Sequence, residues 1–353
     1  MRARRHVTAA ALLMLAPGCS IHPVPEDVTH VTTYHIVRQI RCETRQALID
    51  FVKRQLGRQA TGPEHDAIAN KLLLRYEREP ESIKNFQPGE FAGPDYAPYR
   101  RFYNIILSAA IAYNFDLTMT EDNNLTTGID LVGPWKSKLT LGITGDANRQ
   151  RSNQRTFTVT DTFQELLAYG NPQAPDTGEY YCDNQLVAPN HLYPIAGEIG
   201  VAKTVRTFFE LTMLANLAAD KAKPGQEGAP TMVDNLKFTT MIDLSGTPKV
   251  VFAPIGSGFQ LADVSLTGLV KRTDVHQVMV GLALEPKGMT DLGLLRNQLF
   301  AGTSGTGRAA AQGMTSSLYV GNRIIGAGGG AAKLATAAID KVKTGEVKLI
   351  PSP

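Results

Sequence analysis

The sequence predicts an α+β fold in which antiparallel sheets from two related halves pack against helices. Apolar stripes of helical period and short runs that alternate apolar with polar residues lie along the same chain. The order of these segments recurs after about 120 residues, which is typical of an internal duplication. The predicted divisions are an N-terminal helical region (33–98), a first α+β half (99–190), a second α+β half (191–300) and a Gly/Ala-rich tail that is expected to be mobile (301–353).

The N-terminal region contains the patterns of two helices. Apolar residues from Thr33 to Leu56 fall on one stripe, and Gly57 is expected to end that helix. A second helix is predicted to begin near Pro63, because proline suits the first turn, and to end before Pro80. Residues 85–98 carry three prolines and two glycines, which predicts a loop.

Each half is predicted to contain a helix, a strand, a connector, a hairpin and a second helix. Residues 121–124, two acids followed by two asparagines, are expected to form a turn. Residues 144–145 and 267–268, both Thr-Gly, are expected to lead into polar hairpin tips. Convergent patterning of two hairpins is the alternative to duplication. The predicted strands are 115–120, 125–132, 139–144 and 156–159 in the first half, and 236–242, 264–266 and 278–280 in the second.

The first twenty residues carry the pattern of an export signal. Three arginines precede an uncharged apolar run, 7–15, which is too short to span the ~30 Å hydrocarbon core of a bilayer. Residues 15–20, Leu-Ala-Pro-Gly-Cys-Ser, resemble the lipobox of bacterial lipoproteins, although Ala16 stands where that family usually has an aliphatic residue. The resemblance implies a signal peptide over 1–18 and acylation of Cys19. An ordinary signal peptide cut near Gly18 is the alternative.

The resemblance also implies where the mature chain is held. Two or more acyl chains give stable membrane attachment, and residues 19–32 would form the lipid anchor and a polar tether that contains proline. In the lipoproteins that the motif resembles, a residue other than aspartate after the cysteine favours the outer membrane, and here that residue is Ser20. The expected partners are the membrane, through the N-terminal lipid, and an envelope protein or cell-wall polymer.

The charge balance does not support nucleic-acid binding. The whole chain has 36 Lys+Arg against 33 Asp+Glu, and the predicted signal peptide accounts for the excess with its three arginines and no acids. Bulk attraction to a polyanion is therefore not expected of the mature chain.

Cys42 and Cys182 are the two cysteines that remain when Cys19 is acylated. In an oxidising envelope such a pair is a candidate disulfide, and its long loop would give a stabilisation of at most ~4–5 kcal/mol in the chain-entropy model. Two unrelated buried thiols are the alternative.

The sequence offers no motif for catalysis, metal binding or cofactor binding. The glycines at 326–330 are interpreted as linker, because too little chain follows them for a dinucleotide-binding unit. His65 and His191 are a weak candidate pair for a metal. His276 is expected on a solvated hairpin face opposite Arg155. We therefore predict no cofactor and no catalytic or metal-ligating residue.

Five basic residues at the two predicted hairpin tips form a possible contact patch for anionic lipid, cell-wall polymer or an acidic protein: Arg149, Arg151, Arg155, Lys271 and Arg272. Ordinary solvated hairpin ends are the alternative. The function expected from the anchor, the tether and the duplication is a membrane-tethered, non-enzymatic binding or scaffold protein of the envelope. An envelope hydrolase, with a site assembled from residues distant in sequence, is the second hypothesis.

Overall fold

The computed structural model describes residues 22–29, 31–62, 65–132, 140–185, 188–218, 228–246, 249–251, 260–299 and 330–348. The fold is α+β, as the sequence predicts. The chain divides into two compact units. Among the described residues, unit 1 lies within 22–27, 119–153 and 241–273, and unit 2 lies within 28–118, 154–240 and 274–348.

Eight helices and five strands lie in the described part of the chain. The helices are α1 (Glu26–Thr29), α2 (Thr33–Thr61), α3 (Ala67–Arg78), α4 (Ala97–Leu107), α5 (Phe163–Tyr169), α6 (Val201–Leu214), α7 (Pro286–Leu299) and α8 (Gly330–Lys348). Short 3-10 segments are Pro80–Asn85, Pro88–Glu90 and Pro194–Ala196. The strands are β1 (Ala109–Val132), β2 (Thr140–Thr162), β3 (Thr231–Gly246), β4 (Lys249–Val251) and β5 (Gln260–Leu284). No helix in this part is long and apolar enough to cross a membrane.

Helix α2 is longer than the sequence predicts. The hydroxyl of Thr32 caps it by accepting a hydrogen bond from the N–H of His35 at 3.2 Å. The helix continues through Gly57 and ends at Thr61, so the predicted stop is wrong. One glycine costs a helix about 1 kcal/mol, and the buried stripe that includes Leu48, Val52 and Leu56 offsets that cost.

Helix α3 begins after the predicted proline rather than at it. Asp66 caps the helix, since its carboxylate accepts a hydrogen bond from the N–H of Ala69 at 2.7 Å. Pro63 lies outside the described residues. The helix ends at Arg78, before Pro80 as predicted. The loop predicted over 85–98 contains a 3-10 turn at Pro88–Glu90, and its last two residues begin α4.

The strands form one antiparallel sheet with the order β2-β1-β5-β3. The short β4 pairs with β5, with Lys249 opposite Ser265 and Val251 opposite Asp263. The halves therefore run α4-β1-β2-α5 and α6-β3-β4-β5-α7. Apart from the three-residue β4, both have the order helix–strand–strand–helix, with β3 and β5 as the two long strands of the second half. The first strand of one half, β1, pairs with the second strand of the other, β5.

The three predicted breaks within the strands are wrong. Residues 121–124 lie inside β1, residues 144–145 inside β2, and residues 267–268 inside β5. Asn, Asp, Thr and Gly favour turns locally, but pairing with the neighbouring strand satisfies their backbone groups. The five predicted tip cations consequently lie along β2 and β5, not at hairpin ends.

The core of unit 2 is built by helices on one face of the sheet. Phe51 of α2, Phe209 of α6 and Phe163 of α5 meet there, with ring centroids 5.2 and 5.8 Å from that of Phe209. All three are buried. Tyr113 and Phe115 of β1 are also fully buried.

Helix α8 packs on the sheet through a second apolar cluster. This cluster joins Ala335 and Ile339 of α8 to Ala112 of β1 and to Met279 and Ala283 of β5. The expectation of a mobile tail therefore does not hold for residues 330–348, because they form a helix whose alanines and isoleucine, at helical spacing, contact the sheet. Residues 301–329 lie outside the described part.

Candidate functional site

The outer strands of the sheet, β2 and β3, are its candidate interaction elements, because each stands at one end of the strand order. In unit 2 the side chains of β2 alternate between half-buried and exposed, with Phe157 and Val159 half-buried. The exposed positions are polar: Gln154, Thr156, Thr158 and Thr160 on β2, and Lys237 and Thr239 on β3.

The predicted basic residues have different environments. In unit 1, Arg149 is exposed and Lys271 is half-buried. Arg151 donates two hydrogen bonds of 2.8 Å to the carboxylate of Glu121. In unit 2, Arg155 donates to the hydroxyl of Thr33.

Arg272, also in unit 1, is buried. Its guanidinium donates to the carbonyl of Val24 at 2.7 Å and lies 3.7 Å from the carboxylate of Asp27. The expectation of an exposed tip is wrong for this residue, because the segment around Val24 covers it.

Glu121 is the acidic centre of the unit 1 contacts. The side chain of Asn123 donates to its carboxylate at 2.9 Å. This hydrogen bond, with those from Arg151 and the charges of Arg151 and Arg272, lowers the pKa of Glu121 below its ordinary value. Arg151 of β2 and Glu121 of β1 therefore neutralise each other's charge.

A disulfide bond joins Cys42 of α2 to Cys182, with their Cα atoms 5.5 Å apart. The guanidiniums of Arg38 and Arg41 lie 5.3 and 5.9 Å from the ring centroid of Tyr181. Arg38 also donates to the carbonyl of Asp183 at 3.1 Å. Together these contacts hold the loop after α5 against the first turns of α2.

Arg41 and Asp161 form an ion pair with two hydrogen bonds in unit 2. Two hydrogen bonds of 2.8 and 2.6 Å join the guanidinium to the carboxylate. The hydrogen bond to Asp161 raises the pKa of Arg41, against the opposing effect of burial. Sequence reasoning missed this pair because the partners are 120 residues apart.

His276 belongs to a buried polar cluster with Tyr193 and Asp274. The Tyr193 hydroxyl lies 2.5 Å from Nε2 of His276 and donates to the Asp274 carboxylate at 3.0 Å. His276 and Asp274 are each 1% exposed, and Tyr193 is 3% exposed. The expected solvated face is therefore wrong. The signal was available, because positions 272, 274 and 276 alternate in step with the apolar 278 and 280.

Glu43 of α2 accepts the backbone N–H groups that begin α6. Its carboxylate accepts from Ile199, Gly200 and Val201 at 2.8, 2.8 and 2.7 Å, where a helix carries unpaired donors and partial positive charge. Burial raises the pKa of Glu43, and the three hydrogen bonds oppose that rise. Gly200, at φ 89°, occupies the left-handed region that favours glycine. These groups position α6 on α2.

An open cleft of about 990 Å³ lies in unit 2, lined by groups of both charges that include Lys84, Asp161, Glu165, Glu285, Lys287 and Lys333. Lys287 and Glu285 form an ion pair of 2.9 Å.

Among the described residues, no group of three or more His, Cys, Asp or Glu side chains is placed to share a metal ion. His65 and His191 are both exposed. Cys19 and the glycines at 326–329 lie outside the described residues.

The fold and its sheet define a two-unit α+β protein, and unit 2 has an apolar core and a buried polar cluster of Tyr193, Asp274 and His276. The chain belongs to the family described as uncharacterised protein y4kA, whose model matches residues 22–291. It is 31% identical over 288 residues to the uncharacterized protein y4kA of Sinorhizobium fredii (strain NBRC 101917 / NGR234), covering 81% of this chain and 84% of that protein.

Two solved structures show a distant likeness to this chain. The secretin InvG of the Salmonella SPI-1 type III secretion injectisome is 8% identical, with a TM-score of 0.19, over 59% of this chain and 70% of that chain. InvG residues 176 to the end, in the open gate state, give 9% identity and a TM-score of 0.17, over 49% of this chain and 60% of that chain. Scores of this size do not establish a shared fold.

Proposed function

We propose that this chain is an envelope lipoprotein that acts as a non-enzymatic scaffold, tethered to the outer membrane on its periplasmic side. The lipobox-like residues 15–20 supply the anchor, and residues 19–32 supply the tether. The Cys42–Cys182 disulfide suits an oxidising compartment.

The observation that carries the scaffold role is the extent of the sheet. Strands β1, β2, β3 and β5 have 24, 23, 16 and 25 residues, whereas strands of globular proteins usually have about 5–6. In unit 1 four large apolar side chains on these strands are 42–67% exposed: Leu125, Met241, Leu244 and Val270. Each of these exposed apolar side chains is a candidate contact for a partner protein.

The alternative, an envelope hydrolase, needs a reactive group that substrate can reach. The Tyr193–His276–Asp274 cluster has suitable residue types, assembled from distant positions, but all three side chains are at most 3% exposed. A buried, hydrogen-bonded cluster of three side chains is better suited to holding β5 against the loop that contains Tyr193. This burial favours the scaffold over the hydrolase.

The anchor is tested by labelling growing cells with a clickable fatty acid and isolating the full chain. We expect the wild-type chain to carry the label and to sediment with outer membranes. The Cys19→Ala variant should lose the label and leave the membrane fraction. A wild-type chain that kept Met1 and took up no label would overturn the anchored role.

A further inference from the structure

The sheet has two long outer edges. Among the described strands, β2 has one neighbour, β1, and β3 has one neighbour, β5. An edge strand presents unpaired N–H and C=O groups, and natural proteins block such edges with short strands, proline or lysine. Here the edges are 23 and 16 residues long and contain no proline, and Lys237 is their sole lysine. In the part of the chain that the structure describes, no further strand pairs with either edge.

The pairing of strands between the two halves of the molecule shows how a further strand could pair with an outer edge. Between its two helix–strand–strand–helix halves, the first strand of one half, β1, pairs with the second strand of the other, β5. Beside this junction α4 meets α7: Asn104 donates to the carboxylate of Asp291 at 3.1 Å, and the N–H of Glu285 donates to the carbonyl of Ser108 at 3.0 Å. The first long strand of the second half, β3, and the second strand of the first half, β2, lie at the two outer edges of the sheet.

We propose that copies of this chain associate head to tail, with β3 of one copy pairing with β2 of the next. The new junction repeats the β1–β5 junction inside each copy. Because the antiparallel order β2-β1-β5-β3 has an even number of strands, β3 and β2 of like-oriented copies run antiparallel. Every copy then faces the same way, as an interface between two different patches requires.

The helices flanking the two edges carry complementary charge. By analogy with α4 and α7, helix α6 of one copy faces α5 of the next. Lys203, Arg206 and Glu210 are exposed on α6, which gives its exposed face a net charge of +1, and Glu165 is exposed on α5. Leu214, at the end of α6, and Tyr169, at the end of α5, are 65% and 78% exposed. A groove of about 440 Å³ between α6 and β3, lined in part by Lys203 and Asp234, lies beside the proposed junction.

The proposal deepens the scaffold role by naming its partner, a second copy of this chain. It rests on that role for its biological meaning only, since strand pairing between copies does not require the lipid. Fatty-acid labelling tests the anchor, and the experiment below tests the assembly, so the two proposals fail separately.

The test is thiol cross-linking of single cysteines on exposed edge positions. Thr156→Cys on β2 and Thr239→Cys on β3 point to one face of the sheet by alternation, and both native side chains are exposed, so folding should be retained. The full chain carries Cys19→Ala, which leaves the introduced thiol as the one free thiol because Cys42 and Cys182 are bonded. A bis-maleimide is added to each variant alone, to the mixture and to the double variant.

We expect cross-linked dimers in the mixture, a ladder of multimers from the double variant, and none from either variant alone. Native mass spectrometry of the uncross-linked chain should give multimers. A different register would move the best partner by two residues, so Gln154→Cys, Thr158→Cys and Lys237→Cys are included. Dimers from Thr156→Cys alone would indicate two-fold β2 pairing and overturn the head-to-tail order. A monomeric mass with no cross-link at any pair would overturn the assembly altogether.

Discussion

Individual side chains on facing strands fix the register of the sheet. The ring of Phe115 stacks on that of Phe157 with centroids 4.8 Å apart. The amide of Asn114 donates to the hydroxyl of Thr158 at 2.7 Å. In unit 1 the Glu121–Arg151 pair joins the same two strands. Such cross-strand pairs are each worth roughly 0.2–1 kcal/mol, and in series they favour one alignment of β1 with β2.

Glu121 makes part of this alignment dependent on pH. Its folded-state pKa lies below the ordinary value, chiefly because Asn123 donates to it. A lowered folded-state pKa stabilises the fold above the unfolded value of about 4.3, and this stabilisation is lost as the pH falls through the folded-state pKa. We expect Glu121→Gln to destabilise the protein by up to about 1 kcal/mol at neutral pH. Urea unfolding at a series of pH values should show the difference from wild type shrinking towards acid.

The control for this prediction is the same substitution made in an Arg151→Gln background. The effect of Glu121→Gln should be smaller there, but not absent, because Asn123 still donates to the carboxylate. If the free energies of unfolding of wild type and Glu121→Gln differed equally at neutral and strongly acid pH, the charge of Glu121 would not contribute. The difference would then come from the shape of the side chain alone.

At the scale of elements, the sequence predicts the helices better than the strand ends. Helix α2 follows from a stripe of apolar residues that a single glycine cannot interrupt. Residues 121–124 have the chemistry of a turn, yet the neighbouring strand holds them extended. Local residue preferences contain no information about a partner strand that is distant in sequence. For the same reason Tyr193, 81 residues from Asp274, could not be assigned to its cluster.

Helix α8 lies close to β5 because residue 281 is a glycine. A Cβ there would lie 2.6 Å from the carbonyl oxygen of Ala335 and 2.9 Å from the side chain of Ile339. Backbone cannot yield as a side-chain end can, so we expect Gly281→Ala to destabilise unit 2 by about 1–3 kcal/mol. Urea unfolding measures the loss, and hydrogen exchange in α8 should rise most.

The matched control lies on the same strand. A Cβ on Gly268 would meet no atom within 4 Å, so Gly268→Ala should leave stability within about 0.5 kcal/mol of wild type. Equal effects of the two substitutions would show that the cost comes from the strand's backbone and not from the contact with α8.

At the scale of the whole molecule, the repeated order of elements gives the internal β1–β5 junction and the outer edges the same types of strand. Each involves the first long strand of one half and the second long strand of the other. The sequence predicts two related halves, and the structure places helix–strand–strand–helix twice in one sheet. Common ancestry of the halves stays a prediction. What sequence alone did not reveal is which strands meet, because hairpins of similar pattern can pair in several orders.

The charges on α5 and α6 allow the proposed assembly to be tested by reversal. Glu165→Lys places a cation opposite Lys203 and Arg206 of the next copy, so we expect several-fold weaker association, since an exposed ion pair contributes up to about 1 kcal/mol. Arg206→Glu should weaken association in the same way. Combining both substitutions in one chain restores opposite charges across the junction and should restore the association constant measured by sedimentation. High salt should reduce all of these differences.

The control is Glu77→Lys on α3, an exposed position outside both halves with the same change in net charge. It should leave association unchanged. Glu165 also helps to cap α5, since the Thr162 hydroxyl donates to its carboxylate at 2.8 Å, so a loss caused by a weakened helix would persist in the double variant. Recovery in the double variant therefore separates a contact between copies from a defect within one copy. Weakening without recovery would mean that α5 and α6 of neighbouring copies do not face each other.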